Sequence, residues 1–374
     1  MTQDAAFDEV PAALPRPVLT LALIGLIGLV FLAELALPAT RATDTLEPSV
    51  ATLIAYGGTS GQLVLAQGEW FRLLTAALVH AGPAHLALNS LALLVAGGSL
   101  ELLVGRLWLA ALFIVGAAGG SLASIHWNPA NIVGVGASGA IMALFGALGL
   151  LAFRFDPGPA RRAFLTNALG ALIPSLLPGL LPLVGVSGGQ IDYASHAGGA
   201  LAGAALGGVM LLLWRGGAAH PGAKGLAALV VLAGLGVAGY GALRLAQGFD
   251  AVAYEGRLIP ESELPKTDAA ARAAAADLAA RFPDDPRGHY YLALRKVDDR
   301  RPAEAEASAR HAVALVDRYP ETFLPGFRAR LHGVHALILN DLGRTAEAKS
   351  VAAPACPGGP SDVLTALRRS RLCP

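Results

Sequence analysis

Ser138 lies in the run Gly136-Ala137-Ser138-Gly139, at the start of a long apolar segment, and His196 lies at the start of another. A serine hydroxyl is a weak nucleophile until a neighbouring base takes its proton, and histidine can be that base. A second polar cluster, His80, His85 and Asn89, opens a third apolar segment. Polar groups at membrane depth are costly and mark function where they are retained. Together these residues predict nucleophilic, acyl-transfer chemistry inside a bilayer. Such chemistry needs donors for an oxyanion. Ser138 begins a helix, so its N–H and that of Ala137 are candidates, because first-turn N–H groups lack an intrahelical acceptor. His85 and Asn89, four residues apart, share one helical face and are candidate side-chain donors. Gly82-Pro83 before them reads as a helix start, since proline suits the first turn.

The chemistry requires helices that bring Ser138 and His196 together. His196 is followed by Gly199, Gly203 and Gly207, four apart on nearly the same face. A row of small residues lets two helices approach closely. The partner expected is the helix starting at Ser138, which opens with Gly139 and Ala140. A span needs about 20 apolar residues. Seven segments qualify, roughly 18–37, 84–104, 107–125, 138–154, 163–184, 194–214 and 225–246. Pro174, Pro178 and Pro182 interrupt the fifth. The expected fold is all-α: a polytopic membrane bundle followed by a soluble helical domain.

Orientation follows from lysine and arginine in the short loops. Arg106, then Arg154, Arg161 and Arg162, then Arg215 and Lys224 fall on one side, and loops 126–137 and 185–193 on the other contain neither residue. This puts the N-terminus inside and residues 249–374 outside, with Ser138, His196 and His85 at one depth near the outer surface. The acidic tail, with Asp4, Asp8 and Glu9, argues against a cleaved signal and for a retained first span.

The chain has 374 residues, of which 15% are charged, well below a soluble domain. The deficit is confined to residues 17–247, and the charged remainder reads as ordinary soluble helix, which sets the main domain boundary. A net charge of +1 without a basic stripe gives no case for nucleic acid. No Cys-x-x-Cys or His-Glu-x-x-His occurs, and Asp192 near the histidines is too thin a set for a metal, so no cofactor is expected. In residues 249–374, Tyr291, Leu294, Ala307 and Ala314 sit at spacings similar to a tetratricopeptide unit, but aligning Ala348 with Ala307 gives an offset of 41 rather than about 34. A generic helical hairpin domain fits equally well. Cys356 and Cys373 are the two cysteines, and outside the membrane they could pair.

Five motifs occur in order: Glu69-Trp70-Phe71-Arg72, His80-x4-His85-x3-Asn89, Glu101-x3-Gly105-Arg106, Gly136-Ala137-Ser138-Gly139 and His196-x2-Gly199-x3-Gly203. Over about residues 18–214 the chain resembles the rhomboid intramembrane serine proteases. The resemblance implies a six-helix core at 18–214 behind a cytoplasmic tail at 1–17. A loop and seventh span at 215–248 and an outer helical domain at 249–374 follow. It implies a Ser138–His196 dyad without an acidic third member, and single-span membrane proteins as substrates. The outer domain is a candidate surface for a protein partner. Loop 38–72 would be anchored by Trp70 and Arg72, and Glu101 and Arg106 would be structural. The implied location is a bacterial inner membrane, with the outer domain periplasmic or extracellular. Met142 departs from the family, which commonly has an aromatic residue one turn after the serine. The alternative reading is a relative that binds or retains membrane clients without cutting them.

Overall fold

The structure, a computed structural model, describes residues 16–40, 46–177, 191–214, 220–319 and 322–374. It divides into two compact units, Met1–Phe249 and Asp250–Pro374. The first is a helical bundle of α1 (Val18–Ala36), α2 (Val50–Ala55), α3 (Arg72–Thr75), α4 (Pro83–Val104), α5 (Arg106–Trp127), α6 (Ser138–Leu151), α7 (Pro159–Leu176), α8 (Tyr193–Leu213) and α9 (Lys224–Glu255). Of these, α1, α4, α5, α8 and α9 are long and apolar enough to cross a membrane. Among the described residues there is no β-strand beyond a single antiparallel bridge between Thr59 and Gly134.

The shorter α6 forms the centre. It is apolar on every side and buried from Gly139 through Leu148, as a helix enclosed by others must be. Helices α5 and α8 pack against it. The glycine row of α8 sets the approach: a Cβ on Gly199 would stand 2.0 Å from the Gly139 carbonyl oxygen, and one on Gly203 1.9 Å from that of Ala143. Backbone therefore meets backbone along the seam, which fixes the depth of α8 against α6. Leu21, Leu29 and Leu32 of α1 and Leu229, Leu232 and Leu235 of α9 are exposed, as a lipid-facing surface would be.

Two spans differ from the sequence expectation. The fifth expected span, α7, begins earlier, at Pro159, and Pro174 lies inside it rather than breaking it. Pro174 has no N–H to donate to the Gly170 carbonyl, so the helix continues past it with one hydrogen bond fewer. Residues 178–184 of that expected span lie outside the described residues, as do most of the tail, residues 185–190 and Arg215. The last span is longer than expected, 32 residues, running through Gly248 into the charged region.

The second unit contains α10 (Asp268–Arg281), α11 (Pro286–Asp298), α12 (Pro302–Arg318), α13 (Pro325–Asp341), α14 (Thr345–Ala352) and α15 (Ser361–Arg369). Caps start several of them: Thr267 accepts from the Ala270 N–H, and Asp285 from the Arg287 N–H. Consecutive helices pack on one another from α10 to α14. Cys356 and Cys373 are joined by a disulfide with Cα atoms 5.7 Å apart, inside a small core with Ala352, Leu367 and Leu372.

His335 of α13 is buried, and its Nε2 lies 3.3 Å from Glu306 Oε1. Burial pushes the imidazole below its ordinary value, more than the Glu306 carboxylate draws it up. A depressed pKa means that the unfolded chain takes up a proton the folded one refuses. Stability should be complete above about pH 6.5 and fall as the pH drops below it, by at most about 1.4 kcal/mol per pH unit. Thermal melts of this unit between pH 7.5 and 5 check this, and His335→Leu should flatten the dependence.

Candidate active site

The loop before Ser138 is held from two sides. Thr59 and Gly134 exchange backbone hydrogen bonds of 2.9 and 2.7 Å, and the Gly136 N–H donates to the Ala76 carbonyl at 2.9 Å. Arg72 secures the first of these partners. It is buried, pairs with Glu69, and donates to the carbonyls of Ile54 and Gly58 at 2.7 and 2.8 Å. Trp70, expected to anchor the same loop, is 51% exposed. Within the chain the anchoring falls to Arg72, whose planar fork can reach several oxygens at once. An indole at that position suits the membrane interface better than a protein core.

Gly136 has a φ of +109°, a conformation that favours glycine. Above it lie His85 and Asn89. A Cβ there would stand 2.6 Å from the His85 ring and 3.4 Å from Asn89 Nδ2. Asn89 is 6% exposed, and its Nδ2 makes no hydrogen bond among the described residues. Ser138 opens α6, and neither its N–H nor that of Ala137 has an acceptor among the described hydrogen bonds. The two side chains and two N–H groups singled out as donors are thus gathered around the start of α6.

His196 is 8% exposed, in the first turn of α8. Its Nδ1 lies 2.9 Å from the Ser175 carbonyl oxygen. A carbonyl can only accept, so the proton sits on Nδ1 and Nε2 keeps the lone pair a base requires. Ser175 lies in the last turn of α7, where carbonyls lack helical partners. No hydrogen bond joins Ser138 Oγ to His196 among the described residues. Such bonds are often long in free enzymes and tighten with substrate.

Sequence reasoning missed Ser175 and the network that fixes α8. Asp192 caps α8, accepting from the Ser195 N–H at 2.9 Å, and also accepts from the Ser124 hydroxyl of α5. Asn128 donates to Ser124 at 3.2 Å. Aspartate before an apolar helix is a readable cap signal. Asp192→Ala should cost α8 about 1 kcal/mol and slow labelling of Ser138 by a fluorophosphonate, whereas Asp192→Asn, an equally good cap, should label at nearly the native rate.

Glu101 is buried at the far end of α4 and accepts from the N–H groups of Leu19 and Thr20 at 2.9 and 2.8 Å and from the Thr20 hydroxyl at 2.9 Å. It therefore caps α1, with Arg106 3.2 Å away. Gly139 meets Ser195 Oγ and Gly120, and Met142 is buried in α6.

A bundle with five helices long and apolar enough to cross a membrane fits a polytopic membrane protein. Residues 67–213 match the rhomboid domain. The chain is 36% identical over 156 residues to the rhomboid protease GluP of Bacillus subtilis, covering 41% of this chain and 28% of that protein. It is 31% identical over 182 residues to the rhomboid protease AarA of Providencia stuartii, covering 42% and 62%. RHOMBOID-like protein 5 of Arabidopsis thaliana is 34% identical over 169 residues, covering 45% and 52%. The chain spans less than two thirds of the length of each of these relatives.

Proposed function

We propose that the protein is an intramembrane serine endopeptidase that cuts single-span membrane proteins in or near the bilayer. The observation that carries this reading is the convergence of Ser138, at the start of α6, with the His85–Asn89 face above Gly136, beside an α8 that holds His196 in the tautomer of a base. Ser138 Oγ attacks the scissile carbonyl carbon while His196 Nε2 takes its proton. The oxyanion is met by Asn89, His85 and the N–H groups of Ser138 and Ala137. His196 then protonates the leaving amine, and water hydrolyses the acyl-enzyme. The relatives named rhomboid proteases support the activity over the shared domain. Incubating the purified protein with a single-span substrate, beside Ser138→Ala, tests it.

The proposal extends to the placement of the chain. Residues 18–214 form the catalytic core in a bacterial inner membrane, with the N-terminus cytoplasmic. Residues 249–374 form an outer, tetratricopeptide-like domain that offers a surface to a protein partner. Arginine and lysine at the inner loops support this orientation, and the Cys356–Cys373 disulfide suits an oxidising compartment. The oxidised protein from intact cells should therefore migrate faster on a gel before reduction than after. Unchanged mobility, with both thiols labelled in the native protein, would count against the outer placement.

A further inference from the structure

The matched domain ends at residue 213, and α9 lies beyond it. Much of this helix is open: Leu229, Leu232, Leu235 and Leu243 are exposed, and a Cβ on Gly236 or Gly239 would meet nothing within 4 Å. One face differs. Gly234, Gly241, Leu245 and Phe249 recur at helical spacing, and each meets the core. A Cβ on Gly234 would stand 2.7 Å from Ile114 Cδ1 of α5. One on Gly241 would stand 2.9 Å from Phe71 Cδ2 and 3.1 Å from Thr75 Cγ2. Leu245 Cδ1 comes so near Gly57, whose φ is +113°, that a Cβ there would lie 3.0 Å from it. The Tyr240 ring stands edge-on to Phe71 and the Phe249 ring edge-on to Tyr56, each pair with centroids 6.0 Å apart. Lipid tails are as apolar as leucine, so a helix in the bilayer is held by fit rather than by expulsion of water.

The surface that α9 fits is the one that holds the approach to Ser138. The Thr75 hydroxyl donates to the Gly57 carbonyl at 2.9 Å. The next residue, Ala76, accepts the Gly136 N–H, two residues before Ser138. Gly58 accepts from Arg72, and its neighbour Thr59 is paired with Gly134. Thr75 and Gly57, both met by α9, are thus each followed within two residues by a hydrogen bond to the loop 134–136. Coupling is carried by contiguous packing and hydrogen bonds, and here that chain is short. We propose that α9 is a brace on segment 56–76, and that Tyr240, Gly241 and Leu245 are positioning residues for Ser138. They act through Phe71, Thr75 and Gly57, not on substrate. With the brace displaced, the loop loses its backing and the Ser138 hydroxyl is held less often in line with His196. The proposal deepens the proteolytic reading and rests on it.

The test uses the full-length protein in detergent. Gly241→Val should slow both fluorophosphonate labelling of Ser138 and kcat on a single-span substrate about tenfold, with KM nearly unchanged, because slight misplacement of reacting groups costs this much or more. Gly239→Val, on the open face, should match the wild type. Tyr240→Ala tests the same brace should Gly241→Val fail to fold, since it only removes bulk from an exposed position. It should also slow labelling, and Tyr240→Phe, which keeps the ring, should restore it. A merely structural role would lower the melting temperature and the fraction of protein that labels, but leave the rate constant of the labelling fraction native. That result would overturn the proposal, as would native rates in both Gly241→Val and Tyr240→Ala, or equal slowing by Gly239→Val. A wild type that neither labels nor cleaves would strike the proteolytic reading. Hydrogen exchange reads the brace without activity. The Gly134 and Gly136 amides should exchange faster in Gly241→Val and Tyr240→Ala than in the wild type and Gly239→Val. Unchanged exchange would refute the brace whether or not the protein cleaves.

Discussion

Asn89→Ala should lower substrate cleavage about a hundredfold while leaving the fold intact. Loss of one oxyanion donor costs on the order of 3 kcal/mol at the transition state. Asn89 Nδ2 is buried near Gly136 without a hydrogen-bond partner, so it is already aimed and desolvated before substrate arrives. The same fact limits the cost to stability. The substitution breaks no hydrogen bond of Nδ2, and it removes a buried donor whose desolvation disfavours the folded state. The melting temperature should change little, in either direction. Kinetics and a thermal melt on the same preparation check both halves. A collapse of the melt would reassign Asn89 to structure.

Gly203→Val should cost both activity and stability. The first added carbon would stand 1.9 Å from the Ala143 carbonyl oxygen. That atom is helix backbone and cannot rotate away, so α8 must move off α6. Overpacking in a core typically costs 1–3 kcal/mol, occasionally more, and here the displaced helix also carries His196. Gly208→Val is the matched control on the same helix, since its Cβ would meet the flexible Leu150 side chain at 3.4 Å. The control should keep nearly native melting and cleavage. Equal tolerance of both substitutions would remove the argument that the glycine row sets the depth of His196.

That seam was legible because its cause is periodic. Glycines at 199, 203 and 207 step along one face, and the helix they meet was identifiable from Gly139 and Ala140. The all-α membrane bundle was legible for the same reason, from the length of its apolar runs. What escaped the sequence is contributed by backbone or by single residues. The Ser175 carbonyl that sets the His196 tautomer has no side-chain signature. Glu34 is one acid in a long apolar run, and nothing in that run announces that it reaches the His80 N–H. Asp192 carried a signal, but a cap and a ligand look alike until the helix start is fixed. Composition changes near residue 246, whereas helix hydrogen bonding continues through Glu255. Trp70 and Arg72 are near neighbours in one motif, yet only the guanidinium could satisfy the loop carbonyls of Ile54 and Gly58.

The central claim is that Ser138 is the nucleophile of a peptide-bond hydrolase. The most direct measurement is cleavage of a single-span membrane substrate by the purified full-length protein beside Ser138→Ala, with fluorophosphonate labelling of both. Cleavage and labelling in the wild type, both abolished by that one substitution, are what this account predicts. A properly folded wild type that neither cleaves nor labels would contradict it and favour a protein that holds membrane clients without cutting them.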